Sequence, residues 1–356
     1  ARALHPDEDV MAARAAPRRL WCLPLAGLLA LAAPAAAPAE GGQEKKAEPP
    51  AIREVFDVPY AGKADERQAL DVFAPRGAKG CPVVLFVHGG AWVFGDKNFF
   101  GLYRAFGQFL ARHGVVAVLI NYRLSPLVRH PEHVKDVARA YAWVRRHVRD
   151  YGGDPDQIFL CGHSAGGHLA ALLATDASYL KDPALGLTAA DRVALRGVIA
   201  VCGVYRIPKP AEFSEMARGM LKAFQAAGGG RAALSTVLTL LLRSGRDLNL
   251  FRLVFGDGDK VREQASPLSH VRKGLPPFLV LYAEVELPKL AGMAVEFTRA
   301  LQRAGDSAEV HEMNGYNHDN ILFSVNRPGD PVGKMILKFI RAHARGNGEG
   351  GMGNGE

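Results

Sequence analysis

The feature that most constrains this chain is a series of short, unbroken apolar runs set between helix-patterned stretches. Val83-Val84-Leu85-Phe86-Val87 and Ile158-Phe159-Leu160-Cys161 carry nothing polar. A strand with one wet face alternates apolar and polar residues, so unbroken runs suit strands covered on both faces. Eight strands are expected at residues 53–58, 69–73, 82–88, 115–121, 157–161, 197–202, 277–283 and 308–313. Helices are expected at 99–113, 131–150, 166–175, 290–304 and 332–343. This alternation predicts an α/β fold: a mostly parallel eight-stranded sheet with helices on both faces.

Residues 1–39 read differently. After Met11, taken as the start, come Arg14, Arg18 and Arg19, then the apolar run 20–33, then Ala37-Pro38-Ala39. A basic flank, a short apolar core and a small-residue end describe a secretory signal peptide. The run holds 14 residues including Pro24, short of the roughly 20 needed to cross a bilayer. The expectation is a periplasmic or secreted protein, cleaved after Ala39, with no stable membrane insertion. An uncleaved N-terminal anchor is the alternative. Residues 40–52 read as a linker, 53–344 as the folded domain and 345–356 as a disordered Gly-rich tail. Within the domain, 205–257 breaks the rhythm with Gly228-Gly229-Gly230 and an apolar stretch at 234–242. Long insertions in compact domains tend to serve as lids, so a helical cap over a pocket is expected there.

Composition removes some classes. Four Cys in 356 residues are too few for a disulfide scaffold. Cys81, Cys161 and Cys202 lie in or beside strand-like runs and read as buried free thiols. The net charge of +8 is spread along the chain without a nucleic-acid motif, so no nucleic-acid partner is expected.

The chemistry is carried by Gly162-His163-Ser164-Ala165-Gly166, a G-x-S-x-G match lying between a strand and an Ala/Leu-rich helix. That is the setting of a nucleophile elbow, in which a tight turn lifts a serine hydroxyl to a helix N-terminus. His88-Gly89-Gly90-Ala91-Trp92 follows another strand, and its glycines let main-chain N–H groups approach a ligand closely. Acyl transfer needs such donors for its oxyanion, and Gly90, Ala91 and Ala165 are the candidates. A serine also needs a base oriented by an acid, and in a nucleophile-elbow fold the chain order is Ser, acid, His. His318, after the last strand, is the candidate base. Glu284 and Glu286 follow the strand before it; Glu286 is preferred as acid, and Glu284 stays open. Trp92, Phe94 and His163 are candidate pocket residues, although Trp92 and Phe94 could equally fill core. His88 reads as a structural support of its loop. Asp136 and Trp143 are expected to orient their helix, and Asp154 to hold a turn. No metal or cofactor is called for.

These residues resemble the carboxylesterase branch of the α/β-hydrolases, which includes hormone-sensitive-lipase-like, prenylcysteine-methylesterase-like and kynurenine-formamidase-like enzymes. Leu70-Asp71-Val72, Gly95-Asp96-Lys97, Asn121-Tyr122-Arg123, Gly152-Gly153-Asp154-Pro155 and Ser266-Pro267-Leu268 extend the likeness over most of residues 70–343. The resemblance implies a serine esterase acting on carboxylic esters of small to medium acyl groups through an acyl-enzyme. The same groups would serve an amidase of the kynurenine-formamidase type, and a non-catalytic binding protein on the same scaffold is the third reading. Two positions depart from the family pattern. Ala91 stands where a third Gly is common, and Glu286 stands where Asp is usual.

Overall fold

Runs of Val, Ile, Leu and Phe place eight strands, and their alternating side chains separate two cores. The computed structural model describes residues 51–62, 65–209, 212 and 250–344. The expected signal peptide, most of the linker, the Gly-rich tail and most of the expected cap lie outside the described residues. The strands are β1 Ile52–Pro59, β2 Ala69–Pro75, β3 Cys81–Val87, β4 Val116–Ile120, β5 Gly153–His163, β6 Leu195–Val201, β7 Phe278–Val285 and β8 Ala308–Asn317. They form one sheet in the order β1-β2-β4-β3-β5-β6-β7-β8. The ladders β1–β2 and β2–β4 are antiparallel, and every other ladder is parallel.

The described helices are α1 Leu102–Arg112, α2 Glu132–His147, α3 Ala165–Thr175, α4 Ala189–Arg192, α5 Leu250–Phe255, α6 Asp259–Gln264, α7 Leu290–Ala304, α8 Asn320–Phe323 and α9 Pro331–His343. β3 shows why both faces need covering. Val83, Leu85 and Val87 pack with Val137 of α2, Leu169 of α3 and Phe297 of α7 in one cluster. Val84 and Phe86 pack with Phe106 of α1 and Ile336 of α9 in the other. Successive strand residues point to opposite faces, so an unbroken apolar run feeds both. None of the described helices is long and apolar enough to cross a membrane.

The main differences from the sequence reading lie at element ends. α1 begins at Leu102 because Phe99, Phe100 and Gly101 take φ values of 36°, 55° and 81°. β5 starts at Gly153 rather than 157, where Gly153 pairs with Cys81. β7 runs to Val285, so Glu284 lies on a strand and not in the following loop. β8 runs to Asn317, so His318 follows the strand directly. The one-turn helices α4 and α8 are too short to show a helical period. Among the described cysteines all three are free, and Cys81 is only half-buried.

Polar anchors fix the helices. Asp136 of α2 is fully buried and accepts from the side chains of Arg123, Arg139 and Gln68. Trp143 packs its ring against His147 and Tyr151. Asp154 accepts from the Asp156 N–H and the Gln157 amide within the first residues of β5, where a turn was expected.

Desolvation also makes the fold acid-sensitive. It pulls the histidine pKa down from 6.5 to about 4 at His88 and His130 and to about 3 at His133, His163 and His168. Below pH 6.5 the unfolded chain takes up protons that these folded imidazoles refuse, so stability is lost as pH falls from 6.5 toward 4. The denaturation midpoint in urea should drop clearly between pH 7 and pH 5; an unchanged midpoint would contradict this account.

Candidate active site

Ser164 sits at the junction of β5 and α3 with φ 55° and ψ −117°. A residue with a Cβ in this conformation carries strain on the order of 1–3 kcal/mol. The flanking glycines follow from close packing. A Cβ on Gly162 would lie 2.2 Å from the Gly166 oxygen, and one on Gly166 would lie 2.0 Å from the Val87 oxygen. The Ser164 N–H donates to the Val201 carbonyl of β6 at 2.8 Å. Ala165 opens α3, where first-turn N–H groups have no partner within the helix.

β7 and β8 deliver the other two groups. The His318 N–H donates to the Val285 carbonyl at 3.2 Å, tying the end of one strand to the other. His318 Nδ1–H donates to Glu286 Oε1 at 2.5 Å, leaving Nε2 to accept from the Ser164 hydroxyl at 2.9 Å. Three side chains distant in sequence thus form one hydrogen-bonded line. Glu284 is exposed and accepts the Gly315 N–H of β8 at 2.7 Å, away from His318.

The Glu286 side chain is only 4% exposed. Burial pushes its pKa up, but the His318 hydrogen bond and charge, with the Cys202 thiol and the Leu287 N–H, outweigh that and hold it below the ordinary value. Burial likewise pushes His318 down, while the Glu286 hydrogen bond and charge, with Asp319, hold its pKa above the ordinary value. The pair is therefore set as carboxylate and readily protonated imidazole.

The loop after β3 packs directly on this turn. A Cβ on Gly166 would also lie 2.6 Å from the His88 oxygen, and one on Gly89 would lie 3.1 Å from His163. Gly90 has φ 116°, and a Cβ there would lie 2.0 Å from the Phe94 oxygen. Ala91 adopts φ 49° in turn. Among the described residues, no acceptor takes the N–H of Gly90 or Ala91. Family-motif residues hold the loop: buried Lys97 pairs with Asp71 at 2.8 Å and Asp57 at 2.6 Å, and its N–H donates to Asn121. Asp96 caps the N–H groups of Asn98 and Phe99. His88, which burial keeps neutral with a pKa of about 4, donates to the Gly89 carbonyl and stacks on Tyr122.

The expected pocket residues divide. Phe94 is half-buried beside Gly90. Trp92 is 2% exposed and donates to His168 Nδ1 at 3.2 Å, with Phe251 and Phe255 against its ring. It fills core beneath the loop, since its N–H is taken by His168 and almost none of its surface is exposed. His163 is 4% exposed and donates from Nε2 to the His318 carbonyl at 2.8 Å, so it braces the base instead of meeting a ligand. Cys202, expected as a buried thiol, lies beside Glu286. Donor atoms of Cys202, Glu286 and His318 lie within 4.8 Å of one another. Both His318 nitrogens are engaged, one by Glu286 and the other by Ser164.

The BD-FAE family model matches residues 70–286, more than half of the 356 residues. The chain belongs to the BD-FAE family. It is 34% identical over 254 residues to the esterase LipQ of Mycobacterium tuberculosis, covering 70% of this chain and 53% of LipQ. It is 28% identical over 284 residues to a probable isoprenylcysteine alpha-carbonyl methylesterase, ICMEL1, of Arabidopsis thaliana, covering 75% of this chain and 52% of that protein. The chain thus spans about half the length of these relatives. Esterase B of Lactobacillus rhamnosis superposes with a TM-score of 0.62 at 20% identity, covering 83% of this chain and 86% of that one. That likeness identifies the α/β-hydrolase fold.

For this BD-FAE member the tight turn yields a direct test. Gly166→Ala puts a methyl 2.0 Å from the Val87 oxygen, so the turn must move. Reaction of Ser164 with a fluorophosphonate probe should slow by at least tenfold, on the order of the cost of a misplaced reacting atom. Labelling at the wild-type rate would show that the turn tolerates the group.

Proposed function

We propose that this chain is an exported serine esterase that hydrolyses carboxylic esters of small to medium acyl groups. The observation that carries the proposal is the hydrogen-bonded line from Ser164 Oγ through the His318 ring to Glu286. In this reading Ser164 attacks the acyl carbon and His318 Nε2 takes its proton. Glu286 holds the tautomer and offsets the charge of the imidazolium. The N–H groups of Gly90, Ala91 and Ala165 receive the oxyanion, a contribution of about 3–4 kcal/mol per donor. His318 returns the proton to the leaving alcohol, and water then repeats the sequence to free the acid. The reaction needs no metal or organic cofactor.

Several observations support the ester rather than the amide reading and the surrounding expectations. LipQ is named an esterase and ICMEL1 a probable methylesterase. The cap assignment for 205–257 is supported by Phe251 and Phe255, which pack on Trp92 of the loop that carries the amide donors. Export rests on the pattern of residues 11–39 alone.

A fluorophosphonate probe should label Ser164, and Ser164→Ala should abolish both labelling and p-nitrophenyl acetate hydrolysis; turnover at the wild-type rate in that variant would end the proposal. The pH profile gives a second test. The base acts when neutral, and its pKa is held above 6.5, so the acidic limb of kcat/KM should have its midpoint above that value. Glu286→Gln removes the carboxylate that raises it. The limb should then move to lower pH, and kcat should fall by about 10³–10⁴-fold.

A further inference from the structure

The serine, base and acid leave one hydrogen-bonded chain unexplained. It starts on the loop after β3 and ends on the main chain of His318. The Gly89 N–H lies 3.2 Å from the Tyr103 hydroxyl oxygen. That hydroxyl lies 2.9 Å from His163 Nδ1, and His163 Nε2 lies 2.8 Å from the His318 carbonyl oxygen.

The direction of every bond is forced. An N–H can only donate, so the Tyr103 oxygen accepts from Gly89. A carbonyl can only accept, so His163 Nε2 carries the hydrogen. His163 is neutral, since burial pushes its pKa to about 3; its Nδ1 therefore offers a lone pair, and the Tyr103 O–H must donate to it. One tautomer and one hydroxyl rotamer satisfy the whole chain. Both side chains are buried, Tyr103 at 3% and His163 at 4% exposure. The close approach also explains Gly89, where a Cβ would lie 3.1 Å from His163 Nδ1 and 3.2 Å from the Tyr103 oxygen.

We infer that Tyr103 and His163 form a strut that sets the loop bearing Gly90 and Ala91 at a fixed distance from His318. They are positioning residues for the proposed hydrolysis, and the inference rests on that reading. His318 is then held at three points: its N–H by the Val285 carbonyl, its ring by Glu286 and Ser164, and its carbonyl by His163. The strut links the two halves of the site. One half receives charge on the substrate oxygen and the other moves the proton. Displacement of either by a fraction of an ångström weakens the transition state more than it weakens ground-state binding.

Tyr103→Phe tests this with little disturbance, because the ring keeps its packing against Phe86, Phe99 and Phe323. The active fraction is first counted by fluorophosphonate titration, and kcat and KM for p-nitrophenyl acetate are then expressed per labelled site. We expect kcat per labelled site to fall about 10- to 100-fold, with KM within about threefold. His163→Gln, which keeps a donor and an acceptor, should stay closer to wild type than His163→Leu. The double variant Tyr103→Phe with His163→Leu should lose no more kcat than His163→Leu alone, as members of one chain do. A purely structural role would lower the labelled fraction and the melting temperature but leave kcat per labelled site intact, and that result would overturn the inference. So would losses that add in the double variant. A wild-type protein that neither labels nor turns over would overturn the hydrolase reading and this inference with it; an active wild type with an unaffected Tyr103→Phe variant overturns this inference alone.

Discussion

The close approach of two backbones governs this structure. The turn at residues 162–166 lies so near the end of β3 that Gly166 has no room for a side chain beside the Val87 oxygen. That contact fixes the angle at which β5 hands the chain to α3. It also holds Ser164 in a conformation that residues with a Cβ rarely adopt. The same contact brings the loop after β3 against the turn, so the amide groups and the hydroxyl are placed by one packing event. α3 is buried along its whole length, so the turn cannot relax by tilting the helix.

Electrostatics then act on a site already set by sterics. Glu286 is nearly inaccessible to water, and a lone buried carboxylate would be costly. Its cost is offset by an imidazole N–H and by the main-chain N–H groups of Ala283 and Leu287. The loop after β3 uses the same device at a distance, with buried Lys97 held between Asp71 and Asp57. Paired charges of this kind contribute little net stability, but breaking one partner is expensive. They therefore specify position more than they add strength.

Much of the architecture was legible beforehand. All eight strands and the five longer helices lie where apolar runs and helical periods placed them. The reason is that burial on two faces leaves a continuous apolar signature, and long amphipathic helices repeat theirs several times. Element ends were less legible. The start of α1 depends on left-handed backbone at Phe99 and Phe100, which neither residue type advertises. Glu284 and Glu286 could not be separated by spacing. β7 continues through Glu284, and only the turn after Val285 swings Glu286 toward His318. Trp92 and His163 were candidate pocket residues, and Trp92 could equally have filled core. Their side chains instead point into the protein, toward His168 and toward the His318 carbonyl.

The amino-acid order alone determined the class of fold, the glycine-flanked serine, and the presence of a histidine and a carboxylate after the last two strands. These are local properties: a run, a turn, a residue type at a strand end. Tertiary structure decided which carboxylate meets the imidazole, that Cys202 lies beside that pair, and that Tyr103 and His163 bridge the two sides of the site. Each of those facts concerns atoms separated by tens to hundreds of residues and brought together in space, the hydrogen-bonded ones within about 3 Å. Spacing along a chain carries no record of such distances. They are set only when strands take neighbours and the sheet acquires its order.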